Sequence, residues 1–257
     1  MNIHKTAIVD KNTKIGKNVT IDPYVIIGKN VEIGDNVSIK TGTVIHCNTK
    51  IGNGTKISSQ SSLGGDPQDV SFNNTDETFL EIGENSDIRE FVSINRGTKK
   101  DNCLTKIGDN CLVMSNAHIG HDCMIANDVI IASAVVLGGH CNLHNNVIVG
   151  GHSVMHHHTR VGRNVMIGGM VGVKKDIIPF SLITQLGYMR GPNFVGLKRM
   201  GMKKRDILAI TKAINEIKDS KNIINDLGEK FLLSDNEYIK EIGNFIQGES
   251  KLGLTRL

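Results

Sequence analysis

The 257-residue chain is 39% hydrophobic and 22% charged with a formal net charge of +4. That balance excludes a disordered or collagen-like polymer and gives no electrostatic case for a nucleic-acid binder. With 28 glycines, no tryptophan and 4% aromatic residues, the core has to be built from aliphatic side chains with small residues at the bends.

The first predicted element is a repeat. Aliphatic residues recur every six positions from Ile3 through Val9 and Ile15 to Ile57 and Leu63 without an exception. The phase is lost after Leu63, returns at Ile82, Ile88 and Ile94, is lost again, and then runs from Ile107 to Val173. A period of six fits neither a helix at 3.6 nor a half-buried strand at 2. It fits a solenoid in which six residues make one short strand and a turn, and three such strands make a triangular coil. Coils stacked at roughly 4.8 Å put residues 18 apart in one column. The fold class expected is mainly β over residues 1–180. Such hexapeptide repeats resemble left-handed parallel β-helices, and the handedness rests on that resemblance, because periodicity does not fix it. Glycine often follows the aliphatic residue, as at Gly52, Gly108, Gly120 and Gly138, where a small residue suits a corner that turns sharply or visits positive φ.

The two interruptions, at about residues 64–81 and 97–106, are polar and predict loops extruded from the solenoid, where binding sites are commonly built. Residues 181–257 read as a linker and a small C-terminal helical region. Ile207, Ile210, Ile214 and Ile217 recur at helical spacing, and Ser234 with Glu237 suggests a capping box for a last helix. Basic residues cluster at Lys198, Arg199, Lys203, Lys204 and Arg205, which fits a local acidic partner as well as a solvated helix face. No signal peptide or apolar run of membrane-spanning length is seen, so no stable membrane insertion is expected. The five cysteines, Cys47, Cys103, Cys111, Cys123 and Cys141, are odd in number, lack CxxC spacing and fit reduced thiols in the cytoplasm.

Chemistry concentrates in NAHIGHDC, residues 116–123. By the column rule His121 and His157 share a column two coils apart, roughly 10 Å, with Gly139 between them, while His140 and His158 share the next. His121, His140 and the run His156, His157, His158 therefore fall on one edge, outside the inward phase. Two chemistries stay open at this level. One is zinc bound by histidines, which for residues so far apart needs a neighbouring subunit, as in hexapeptide carbonic anhydrases. The other is general-base catalysis by His121 with Asp122 or another carboxylate orienting the ring.

NAHIGHDC, GGH at 138–140, DPQD at 66–69, IREFVSINRGT at 88–98 and VGLKRMGM at 195–202 together resemble the UDP-N-acetylglucosamine O-acyltransferase family, which opens lipid A biosynthesis, along essentially the whole chain. The resemblance implies a homotrimer with active sites between subunits, moving a 3-hydroxyacyl group from acyl carrier protein to the sugar 3-hydroxyl with no cofactor or metal. It implies His121 as general base, Asp122 as its orienting partner and the Gly139 N–H as oxyanion donor. Asp69, His118, His140 and His156 would contact the sugar nucleotide, with Asn193 and Arg199 at its ribose or phosphate end. Gly169 would leave room in the acyl groove for a longer chain, and the basic segment would meet the carrier protein or the diphosphate.

Three positions depart from the family pattern: Ser71 replaces a lysine, His157 a glutamine and Val195 a glutamate. Each lost charge-assisted hydrogen bond costs about 1.5 to 3 kcal/mol unless His157 or Arg190 compensates. A modified acceptor such as a 3-amino nucleotide sugar, acylated to an amide, is therefore the alternative to the ordinary sugar.

Overall fold

The computed structural model describes residues 2–73, 75–184, 187–219 and 224–255. Each hexad forms a strand, mostly of two residues, followed by a corner, and the strands stack into three sheets. The first sheet runs from Asn2–Ile3 to Ser181–Ile183 and Met189–Pro192, the second from Ile8–Val9 to Gly172–Val173, and the third from Lys14–Ile15 to Arg160–Val161. Pairing within the sheets is parallel, apart from the closing antiparallel contact of Ser181–Ile183 with Met189–Pro192. The 18-residue register is direct, with Ile130 beside Ile148 and Ile148 beside Met166.

Inward aliphatics from Ile21 to Val173 are at most 4% exposed, whereas Ile3, with no coil beneath it, is 36% exposed. Burying one such side chain contributes about 1.5 to 3 kcal/mol, and the prism repeats that gain at every hexad. Two residues before each aliphatic, a smaller side chain fills the corner of the core, and Cys111, Cys123 and Cys141 take this place, each at most 2% exposed. Burial pushes the Cys111 thiol up to about 11 and raises that of Cys123 as well, so these cysteines pack as small inert residues.

Except at Gly64, with φ of 79°, the glycines after the aliphatic positions have another cause than positive φ. The left-handed residue lies two places later, at Asn18, Asn36, Asn110, Asp122 or His140. The glycine itself permits close approach of coils: a Cβ on Gly108 would lie 2.7 Å from the carbonyl carbon of Ala126, and one on Gly138 would lie 2.8 Å from the nitrogen of His157.

Both interruptions leave from the edge between the second and third sheets. They are narrower than the polar stretches suggest, because the strands Ser62–Gly65, Phe79–Ile82 and Leu104–Ile107 extend into them. Phe79 pairs with Leu104 and Leu80 with Thr105, which satisfies the backbone at the loop bases. Beyond each excursion the register is recovered, with Ile57 beside Ile88 and Ile88 beside Val113.

Four helices follow: α1 (Phe194–Arg199), α2 (Lys204–Asp219), α3 (Ile224–Leu232) and α4 (Glu237–Gln247). The apolar stripe Ile207, Ile210, Ile214 and Ile217 of α2 is buried. Asn236, rather than Ser234, caps α4, its side chain accepting from the N–H groups of Tyr238 and Ile239; Ser234 instead accepts from the Asn236 N–H. Glu237 therefore stands one residue after the cap, too near for the reciprocal bond of a capping box. The helices are fastened to the last coils by the forked pair of Arg163 and Glu241 and by Arg160, which bonds Asp176 and the carbonyl of Phe245.

Candidate active site

Three successive corners, at residues 120–123, 138–141 and 156–159, build the edge between the second and third sheets. Asp122, His140 and His158 occupy the left-handed position, with φ of 58°, 61° and 64°. The rings of His140 and His158 stack at 4.3 Å, those of His121 and His140 meet edge to face at 5.1 Å, and His156 lies 3.8 Å from His157. The column arithmetic thus assembles five imidazoles along one edge.

His121 Nδ1 lies 2.7 Å from Asp122 Oδ2. An ionised carboxylate can only accept, so Nδ1 carries the proton and Nε2 keeps its lone pair. Burial would raise the pKa of Asp122, but hydrogen bonds from His121 and from the N–H and hydroxyl of Thr98 outweigh it, and the carboxyl is held below its usual range. The His121 ring lies across Gly139, where a Cβ would come within 2.7 Å of Cε1 and 2.8 Å of Nε2. The Gly139 N–H has no acceptor among the described residues.

His118 projects outward from the second sheet, with Nδ1 2.8 Å from Ser93 Oγ, and burial followed by the neighbouring His121 lowers its pKa. Burial, then His156 and His140, lowers that of His157, and burial, then His140 and Lys251, brings His158 to about 4. These three rings are neutral at pH 7, which limits repulsion along the edge.

The two excursions lean together over this edge. In the first, Asp69 accepts from the backbone and hydroxyl of Ser71. Lys100 of the second reaches Asp69 at 2.7 Å, and its hydrogen bond, with those of Ser71, holds the Asp69 carboxyl far below its usual range. Arg96 pairs with Asp66 and Lys99 with Asp76, each at 2.7 Å. Sequence reasoning missed Thr98, Thr105, Lys100 and Asp101. Thr105 Oγ accepts from the Asp122 N–H at 2.8 Å, and Asp101 Oδ2 lies 3.0 Å from His140 Nδ1. Their signal was the second phase break itself, whose TKKD stretch leaves from the histidine edge.

Other expected residues lie elsewhere within the chain. Gly169 is on the edge between the first and second sheets, against Gly151. Asn193 caps α1 by accepting from the Gly196 N–H and donates to the carbonyl of Asn164, on the edge between the third and first sheets. Val195 and Arg199 are exposed on α1. One chain therefore does not gather these with His121.

Among the described residues, His121, Asp122 and His140 are the group with ligand atoms close enough to share a cation, all within 4.8 Å of one another. Ligands on one tetrahedral zinc sit about 3.3 Å apart, whereas His121 and Asp122 are already joined by a 2.7 Å hydrogen bond. The donor set fits proton sharing better than zinc.

Comparison with known proteins gives this geometry its context. Residues 12–47 and 104–139 match a profile described as bacterial transferase hexapeptide, and residues 176–255 match one described as UDP-N-acetylglucosamine O-acyltransferase, domain 2. An acyl-[acyl-carrier-protein]–UDP-N-acetylglucosamine O-acyltransferase of Aliarcobacter butzleri is 40% identical over 95% of each chain. The chain belongs to the UDP-N-acetylglucosamine O-acyltransferase family. A relative of the same description from Chlamydia caviae is 40% identical over 99% of this chain and 92% of its own. The acyltransferase structure from Francisella novicida superposes with a TM-score of 0.96 at 30% identity, covering 99% of this chain and 94% of the other. The one from Bacteroides fragilis gives 0.94 at 35%, covering 99% and 100%. The solenoid is thus the left-handed parallel β-helix of this acyltransferase family, and its helical end is the family's second domain.

Proposed function

We propose that the chain transfers a 3-hydroxyacyl group from acyl carrier protein to the 3-hydroxyl of UDP-N-acetylglucosamine, the opening step of lipid A biosynthesis. The observation that carries this reading is the His121–Asp122 pair lying across Gly139. His121 Nε2 takes the hydroxyl proton as the sugar oxygen attacks the thioester carbon. The free N–H of Gly139 donates to the resulting oxyanion. The intermediate collapses with cleavage of the carbon–sulfur bond, and His121 returns the proton to the departing sulfur, which leaves as the carrier protein's free thiol. A thioester carbonyl is already activated, so one base and one donor suffice without a metal or other cofactor.

His118, His140, His156, His157 and Asp69 would line the sugar-nucleotide site, with Asn193 and Arg199 approaching from another subunit and Gly169 lining the acyl groove. A homotrimer accounts for residues spread over separate edges. It is supported by apolar side chains facing outward from the second sheet, where Ile8, Ile26, Val136 and Val154 are 64%, 43%, 41% and 50% exposed. No helix among the described residues is long and apolar enough to cross a membrane, and we place the enzyme in the cytoplasm beside its carrier protein.

The test is mass spectrometry of products from the purified protein with carrier protein bearing 3-hydroxyacyl chains of graded length and with UDP-N-acetylglucosamine or its 3-amino analogue. An ester on the ordinary sugar, reduced about 1,000-fold or more by His121→Ala, is expected. No product above the His121→Ala control sinks the reading, and an amide alone redirects it to the amino sugar.

A further inference from the structure

The histidine edge carries a second imidazole–carboxylate pair. His140 Nδ1 lies 3.0 Å from Asp101 Oδ2, and the His140 ring meets that of His121 at 5.1 Å and 86°. Asp122 Oδ2 sits between the two rings, 2.7 Å from His121 Nδ1 and 3.7 Å from His140 Nε2. Asp101 is held in place by its own loop. Its N–H and that of Cys103 both donate to the Thr98 carbonyl, at 3.4 and 3.1 Å, while Thr98 itself binds the Asp122 carboxylate. At the neck of the loop, a Cβ on Gly97 would lie 2.1 Å from the nitrogen of Leu104, so the turn closes directly onto the next strand.

From this geometry we infer that Asp101 is a positioning residue for the acyl transfer, fixing the tautomer and ring angle of His140 as Asp122 fixes those of His121. The inference rests on the reading of His140 as a sugar-nucleotide contact. The carboxylate accepts the Nδ1 proton, which leaves Nε2 turned toward the reacting edge. The groups facing His140 are Asp101, Asp122, His121 and His158. Of these, Asp101 alone bonds Nδ1 among the described residues. Without it the ring can flip about its Cβ–Cγ bond or take the Nε2–H tautomer that free histidine prefers. Two similar dyads then share one edge, one built from adjacent residues and the other closed by an inserted loop.

The test uses the full chain with Asp101→Ala and Asp101→Glu, both at a side chain 41% exposed, where folding is not at stake. Nitrogen NMR of labelled histidines is read without substrate, and the KM for UDP-N-acetylglucosamine is measured beside kcat. Wild-type His140 is expected in the Nδ1–H form, and Asp101→Ala should shift it to Nε2–H and raise KM by about tenfold, with kcat changed less. Asp101→Glu should recover most of both, and adding Asp101→Ala to His140→Asn should cause no further loss. An unchanged tautomer or KM in Asp101→Ala, or effects that add in the double variant, overturns the inference. Wild-type turnover on the nucleotide sugar tests the underlying function separately, because the tautomer is observed whether or not the protein turns over.

Discussion

Two edges of the prism share one backbone and differ in what they do with it. On the edge between the third and first sheets the left-handed position holds Asn110, Asp128, Asn146 and Asn164, with φ between 56° and 61°; on the histidine edge it holds Asp122, His140 and His158. One residue earlier, the first edge ties coil to coil through side chains. The N–H of Glu84 binds Asp109 Oδ1, that of Asp109 binds Asn127 Oδ1, and that of Asn127 binds Asn145 Oδ1, at 2.7, 2.9 and 3.2 Å. The histidine edge places His121, Gly139 and His157 there, and the Gly139 N–H has no acceptor among the described residues. Side chains link successive coils on the asparagine edge, while the histidine edge leaves a donor and a base lone pair for something else. Identical corners thus become a seam in one place and, in the function proposed above, a reaction surface in another.

The largest test of this contrast is Gly139→Ala. Its methyl group would overlap the His121 ring, so turnover should fall about 100-fold, the scale of a misplaced base, with a thermal melt close to that of the wild type. A melt that falls as far as activity does would make Gly139 a packing residue. Exchanging the edges' residues comes next. His140→Asn suits the left-handed corner, so stability should hold while kcat/KM drops about tenfold, whereas Asn146→His should leave activity unchanged. Equal activity loss in both would erase the distinction between the edges.

Away from both seams, Arg163→Ala removes a forked ion pair whose members are each 29% exposed, together with ring contacts to Phe180 and Tyr238. Stability should fall by about 1 to 2 kcal/mol in a urea titration, with the His121 chemistry intact.

The smallest effect is one of pH. Asp122 has a folded pKa below its unfolded value, so its ionised form favours the folded state. That contribution is present above the unfolded value, about 4, and is lost as pH falls through the folded one. The wild type should therefore exceed Asp122→Asn in stability at pH 6 and lose that advantage progressively below pH 4. A gap that is constant across this range would show that Asp122 is not charged in the fold.

Much of the candidate site's grouping could be read before the fold was known, because His121, Asp122, Gly139, His140 and His158 stand at separations the hexad governs. A column rule converts such separations directly into neighbours. The glycine reading offered a sharp turn or positive φ, and the second does not hold, since sequence shows a small residue but not whether torsion or an adjacent coil requires it. The Ser234 capping box failed for a similar cause: several polar residues precede α4, and only the path of the backbone selected Asn236.

The sequence by itself determined the prism, since an aliphatic residue every six positions can be buried throughout only by stacking short strands around a common interior. It also determined which edge would carry the imidazoles. The tertiary structure decided the partners of that edge: Thr98 on Asp122 across 24 residues, Asp101 on His140 across 39, and Lys100 on Asp69 across 31. Those contacts depend on how two inserted loops fold back on the corner they leave, and no repeat fixes the path of a loop.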